Sequence, residues 1–249
     1  MIEFKNITKS FKNKIILNNI SGKFIKGKIN LIIGVSGTGK SILLKCIVGL
    51  IKPDKGKIYF DGKNFTNENK NFKIKIRREI GMLFQSGALF DSKNIEENIM
   101  FPLDILTKMN KKEKLEKVNF YLKKVGLENI NKKFPSEISG GMKKRVALAR
   151  AIVNKSKYLF CDEPNSGLDP KNSLKMDTLI QEITYEYKIT TVIVTHDMNS
   201  VLDIGDFIFF LNQGKKIWEG NSNNIFNSKK KILKDFIFSK KVSKIIEKN

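Results

Sequence analysis

The chain has 249 residues, of which 41% are hydrophobic and 18 are Phe. That is enough apolar material for one α/β core and too much for a disordered, collagen-like or mucin-like chain, while Cys46 and Cys161, each inside an apolar run, exclude a disulfide framework and a thiolate zinc site. The net charge of +22 suggests nucleic acid or an anionic membrane, but Arg stands only at Arg77, Arg78, Arg145 and Arg150, the other 43 of the 47 basic residues being Lys. Proteins that read nucleic acid favour the bidentate Arg fork, so the charge is read as composition bias and no nucleic-acid partner is expected.

In chain order, β-rich stretches at residues 2–7 and 20–25 predict short antiparallel strands. Residues 29–35 form a β-branched strand that runs into glycines and then a helix over 41–50, with Leu43, Leu44, Ile47 and Val48 on one face. A turn at 53–56 and a hairpin near Asp61-Gly62 follow, then a strand at 80–84. Helical periodicity marks 95–100, 111–125 and 141–153, with no strand among them. Beyond lie a buried strand (158–161), a long helix (169–187), a strand (190–195), a short helix (198–204) and a hairpin around Gln213-Gly214. Buried strands alternating with helices predict a mostly parallel sheet, preceded by an antiparallel β subdomain and interrupted by a helical lobe at about 86–157. No internal repeat is present, so residues 1–228 read as one nucleotide-binding domain. The start of the chain lacks the apolar core of a signal peptide, and no apolar run approaches the roughly 18 residues that cross a bilayer, so a chain neither secreted nor integral is expected.

Residues 229–249 form a basic extension. Ile232, Leu233, Phe236 and Ile237 recur at helical spacing among Lys229, Lys230, Lys231, Lys234, Lys240 and Lys241. Such a helix can lie on an anionic bilayer, pack on a second copy of the chain, or remain a solvated tail; contact with a second copy is the expectation.

The chemistry begins at Gly34-Val35-Ser36-Gly37-Thr38-Gly39-Lys40-Ser41, which satisfies G-x-x-x-x-G-K-[ST] between a strand and a helix. The glycines let successive N–H groups face one phosphate, the helix start adds its dipole, Lys40 reaches the β and γ oxygens, and the Ser41 hydroxyl is suited to Mg2+. The run resembles the phosphate loop of a P-loop NTPase; the plain alternative is a chance Gly-rich turn. Downstream, an apolar strand ends in Asp162 and Glu163; Asp162 would complete the magnesium side, and Glu163 would orient or activate the attacking water. On its own, the acid pair could also be a cap before Pro164.

With these motifs in place the chain resembles the ATP-binding subunit of an ABC transporter, over about residues 2–226, with a RecA-like core. The resemblance implies that Gln85 is the Q-loop glutamine, which touches magnesium and the attacking water. It implies that Ile138-Ser139-Gly140-Gly141-Met142 is the signature, Ser166-Gly167-Leu168-Asp169 the D-loop, His196 the switch histidine and Phe11 the aromatic that stacks on adenine. Each has a plain alternative: Gln85 as an ordinary strand-end polar residue, Phe11 as core, His196 as a local hydrogen-bond partner, and Ser139 as an N-cap. The resemblance further implies two subunits sandwiching two ATP molecules, with Ser139, Gly140, Gly141 and Asp169 serving the partner's nucleotide, and a polytopic permease that holds the pair at the cytoplasmic face of the inner membrane. The stretch from Ser86 to Ser92, with Glu97-Asn98-Ile99 and Phe101-Pro102-Leu103, is similar to the ATPases of Mla-type phospholipid transporters. It implies lipid cargo and an Mce-domain substrate-binding partner. Other ABC importers, lipoprotein-release systems and a soluble iron–sulfur assembly ATPase are the alternatives.

Overall fold

The computed structural model describes residues 1–246. In chain order the strands are β1 (Ile2–Phe11), β2 (Lys14–Phe24), β3 (Ile29–Ile33), β4 (Lys55–Phe60), β5 (Lys63–Asn64), β6 (Ile80–Leu83), β7 (Tyr158–Asp162), β8 (Thr190–Thr195), β9 (Phe207–Asn212) and β10 (Lys215–Gly220). The helices are α1 (Lys40–Ile47), α2 (Lys70–Arg78), α3 (Ile95–Leu106), α4 (Lys111–Lys124), α5 (Gly140–Ile152), α6 (Pro170–Glu186), α7 (Met198–Ile204) and α8 (Lys231–Ile246). A four-stranded antiparallel sheet, β2-β1-β4-β5, faces a six-stranded sheet, β10-β9-β3-β8-β7-β6, whose strands β9 to β6 run parallel. The α/β core, the antiparallel subdomain and the helices between β6 and β7 follow the arrangement expected from sequence.

Strand alternation divides the interior. Ile32, Phe160, Val192, Val194 and Phe209 point to the layer built by α1 and the antiparallel sheet. Leu31, Ile33, Leu159, Ile193 and Phe210 point to the opposite layer, with α5, α6 and α7. Successive side chains on one strand must take opposite faces, so the two cores are one period-two pattern read twice. Cys46 and Cys161 fall in different layers, both buried as free thiols.

Several boundaries differ from expectation. The first two strands are a single long hairpin, because Lys12 and Asn13 both take left-handed φ (45° and 64°) and turn the chain without glycine. Helix α2 is absent from the sequence reading: only Ile76 is buried on it, so its apolar periodicity is too thin to detect, and it is started by the Asn69 side chain accepting from Phe72 N. Helix α3 runs past Pro102 to Leu106, supported at its start by the reciprocal capping of Asn94 and Glu97.

The extension is corrected most. Leu233, Phe236 and Ile237 are buried in this chain's own core beside Val201, Ile204 and Ile225, and the Phe236 ring lies 5.3 Å from that of Phe210. The apolar face expected to meet a second copy is thus occupied internally. Covering one's own sheet loses no translational freedom, whereas covering a partner's does. Ile232 and Phe238 stay exposed, and residues 247–249 lie outside the described residues. Among the described residues no helix is long and apolar enough to cross a membrane.

Candidate active site

Four neighbouring parallel strands release their chains at one end of the sheet: β3 into the glycine loop, β7 into Asp162 and Glu163, β8 into His196 and β6 toward Gln85. The carboxyl ends of parallel strands are where α/β proteins hold ligands. The pairing of Ile33 with Thr195 puts His196 beside the loop, as its sequence context suggests.

Gly34 has φ 150°, and a Cβ there would stand 2.2 Å from the Leu211 carbonyl oxygen. Gly39, at φ 99°, has no room either, with the Leu17 side chain 2.8 Å from the site of a Cβ. At Gly37, φ 81°, space is open and only the backbone conformation demands glycine. The loop tip, Val35 to Gly37, is exposed, while Thr38, Gly39 and Lys40 are buried. The Thr38 hydroxyl donates to Val35 O at 2.8 Å, and Lys40 Nζ donates to the carbonyls of Gly34 and Val35 at 2.9 and 3.0 Å. This is a cradle of backbone closed by one ammonium at a helix start, suited to phosphate.

Ser41 Oγ donates to Asp162 Oδ1 at 2.7 Å, joining α1 to the end of β7. A hydroxyl and a carboxylate converging beside a phosphate cradle fit a magnesium ion, which takes few protein ligands and fills its shell with phosphate oxygens and water. Among the described residues no group of three or more His, Cys, Asp or Glu could hold a metal ion. Glu163 has φ 50°, a left-handed conformation uncommon for a residue with a side chain and typical of functional turns. Its Oε1 lies 2.9 Å from His196 Nδ1, so the one histidine of the chain is aimed at the acid. The paired side chains can orient a water molecule and a neighbouring charged oxygen at once.

Gln85 is placed by contact with another loop: its Nε2 donates to Ser166 Oγ at 3.3 Å. Two residues missed by sequence reasoning secure this region. Lys144, buried on α5, donates to the carbonyl of Gln85 and, at 3.4 Å, to that of Glu163, and burial lowers its ammonium pKa. Arg150 forks onto the carbonyls of Ala88 and Gly87 at 2.8 and 2.7 Å with its guanidinium over the Phe90 ring. The scarcity of Arg in a Lys-rich chain was the available signal for Arg150; Lys144 gave none, being one Lys among many.

Ser139 is the N-cap of α5, its hydroxyl accepting from Met142 N at 3.3 Å. Gly141 abuts Asn172, whose side chain donates to Asp169, and Asp169 in turn caps α6 by accepting from Asn172 N at 3.0 Å. The bond from Asn172 N holds the Asp169 carboxyl below its ordinary pKa. Within one chain, therefore, Ser139, Gly141 and Asp169 form a group of their own. Phe11 is 43% exposed at the end of β1 with Lys9 Nζ 5.2 Å from its ring, which removes its reading as core.

Comparison with known proteins agrees with this geometry. The ABC transporter family matches residues 17–166. The chain is 37% identical over 244 residues to the probable ribonucleotide transport ATP-binding protein mkl of Mycobacterium leprae, covering 98% of this chain and 70% of that protein. It is 42% identical over 226 residues to the methionine import ATP-binding protein MetN of Clostridium tetani, covering 91% and 71%. The ATP-binding cassette MJ0796, solved as a dimer bound to ADP and Pi in a post-hydrolysis state, superposes with a TM-score of 0.82 at 32% identity, over 89% of this chain and 99% of that one.

Proposed function

We propose, given that the chain belongs to the ABC transporter family and is an ATPase of that family, that it powers a phospholipid transporter from the cytoplasmic face of a membrane, two copies sandwiching two ATP molecules. The observation that carries the hydrolytic reading is the 2.9 Å contact of Glu163 with His196, beside the bond from Ser41 to Asp162. Lys40 and the loop amides hold the phosphates, Phe11 stacks on the base, and Glu163 orients the attacking water while His196 faces the terminal phosphate. Ser41, Asp162 and Gln85 would hold Mg2+, which neutralises charge developing on the phosphate oxygens. Ser139, Gly140, Gly141 and Asp169, grouped away from the cis loop contacts, are offered to the partner's nucleotide.

The lipid reading is supported by the likeness of residues 86–92 to Mla-type ATPases, and a permease partner by the groove beside that segment. Phe84, Phe90, Phe101, Pro102 and Leu106 line a largely apolar groove of about 390 Å³ at which a short helix of a permease can dock. A second reading, import of a small solute, is favoured by the names of the relatives, which transport methionine or, in the case of mkl, are assigned ribonucleotides. The discriminating experiment is purification of the assembled complex with its permease. Co-purified phospholipid, an Mce-domain subunit and ATPase activity that responds to lipid support the first reading. Stimulation by methionine or a ribonucleotide, without bound lipid, supports the second. Turnover that survives Glu163→Gln would overturn the hydrolytic assignment itself.

A further inference from the structure

We propose that Asp177 is a positioning residue for hydrolysis: its carboxylate ties the turn that follows Glu163 to the helix that follows His196, and so fixes how those two side chains meet. The inference rests on the hydrolytic reading of Glu163 and His196. Asp177 sits on α6, 4% exposed, and among the described residues its hydrogen bonds run to Asn165 and Ser200 and not to Glu163 or His196. Its Oδ1 accepts from Asn165 Nδ2 at 2.8 Å and its Oδ2 from Ser200 Oγ at 2.7 Å, while Asn165 Nδ2 also donates to Ser200 Oγ at 3.0 Å. Three buried side chains from three segments thus close a triangle. Asn165 stands two residues after Glu163, and Ser200 one helical turn after His196. With the contact between Glu163 and His196, the triangle completes a ring through the site.

The bonding pattern requires an acceptor at position 177. Asn165 Oδ1 has no hydrogen-bond partner among the described residues, and turning the amide over would press that oxygen against the carboxylate. Burial pushes the Asp177 carboxyl up to about 6 against the pull of the bonds from Ser200 and Asn165, with Asp197 and Asp203 raising it further. An apolar residue of similar size would avoid this desolvation cost, and would also lose the acceptor that Asn165 and Ser200 use. Misplacement of reacting groups by about 1 Å is enough to lower a rate by about 10²-fold.

Steady-state ATPase kinetics of the full chain test the assignment, with Asp177→Asn, Ser200→Ala and the pair combined. The expected result is a fall in kcat of about tenfold or more for Asp177→Asn, with KM for ATP within about twofold and the thermal midpoint preserved. Ser200→Ala should give a smaller loss of the same kind and should add little on top of Asp177→Asn. Should Asp177→Asn fail to fold, Ser200→Ala, which removes one hydroxyl, carries the test alone. Wild-type kcat in a folded Asp177→Asn and in Ser200→Ala overturns the proposal. So does an equal kcat loss in Met176→Ala, a core cavity on the same helix, since that marks general loosening. Glu163→Gln in parallel separates the two levels: an active Glu163→Gln defeats the hydrolytic reading, whereas an inactive one beside wild-type Asp177→Asn defeats only this inference.

Discussion

His196 Nδ1 lies 2.9 Å from Glu163 Oε1, linking the ends of β8 and β7, two adjacent strands of the parallel sheet. If Glu163 orients the attacking water as proposed, replacing its carboxylate with an amide removes the acceptor that role needs. Glu163→Gln should therefore keep nucleotide binding and lower turnover by at least about 10²-fold. The variant should accumulate as an ATP-bound dimer, which size-exclusion chromatography with and without ATP reads directly.

Lys40→Ala removes the ammonium that closes the phosphate cradle, along with its bonds to the Gly34 and Val35 carbonyls. ATP binding, followed by calorimetry, should be lost. Retention of wild-type affinity would show that the loop amides suffice.

Ser139→Arg places a bulky cation at the start of α5, beside Gly141 and Asn172 and apart from the cis loop contacts. Nucleotide binding to the monomer should stay near wild type and hydrolysis should disappear. An active Ser139→Arg homodimer would refute the shared-site arrangement.

Asp177 also sets a pH dependence of stability. Its folded pKa, pushed up to about 6, exceeds the ordinary carboxylate value of 3.8, so the folded state holds the proton more tightly. The stabilisation is complete below the unfolded value and disappears as pH rises through the folded one, a change on the order of 3 kcal/mol. The stability difference between wild type and Asp177→Asn, measured by denaturant at about pH 4 and at about pH 7, should shift in favour of the variant at the higher pH.

Removal of residues 229–249 uncovers Phe210, Val201 and Ile225 rather than a dimer face. Loss of the buried Leu233, Phe236 and Ile237 should lower stability by several kcal/mol, at roughly 1.5–3 per side chain. Phe236→Ala alone should cost about 3–5 kcal/mol. Chemical denaturation of the two proteins checks both; a truncation as stable as the full chain but weaker in self-association would restore the intermolecular reading.

What was legible in the sequence was whatever a local pattern encodes. The phosphate loop needs eight consecutive residues in one strand-to-helix context, and Asp162 with Glu163 needs only the end of an apolar strand, so both stood out. His196 was placed because β8 must lie beside β3. Contacts set by tertiary packing left no such mark. Neither the Lys144 bridge to Gln85 and Glu163 nor the triangle around Asp177 has a spacing that announces it. The destination of α8 is hidden for the same reason, since helical periodicity gives the existence of an apolar face but not which surface covers it.

Arg150 makes the segment after Gln85 and the helix α5 a single mechanical part. Its two bonds to the carbonyls of Gly87 and Ala88 are charge-assisted, each worth about 1.5–3 kcal/mol, and its guanidinium is stacked over Phe90. Ser139 begins the same helix, about 16 Å away at the 1.5 Å rise of an α-helix. A push on Phe90 thus either breaks the fork or moves the helix start with it. The helix behaves as a connecting rod, with the apolar groove lined by Phe90 and Phe101 at one end and the Ser139 cap at the other.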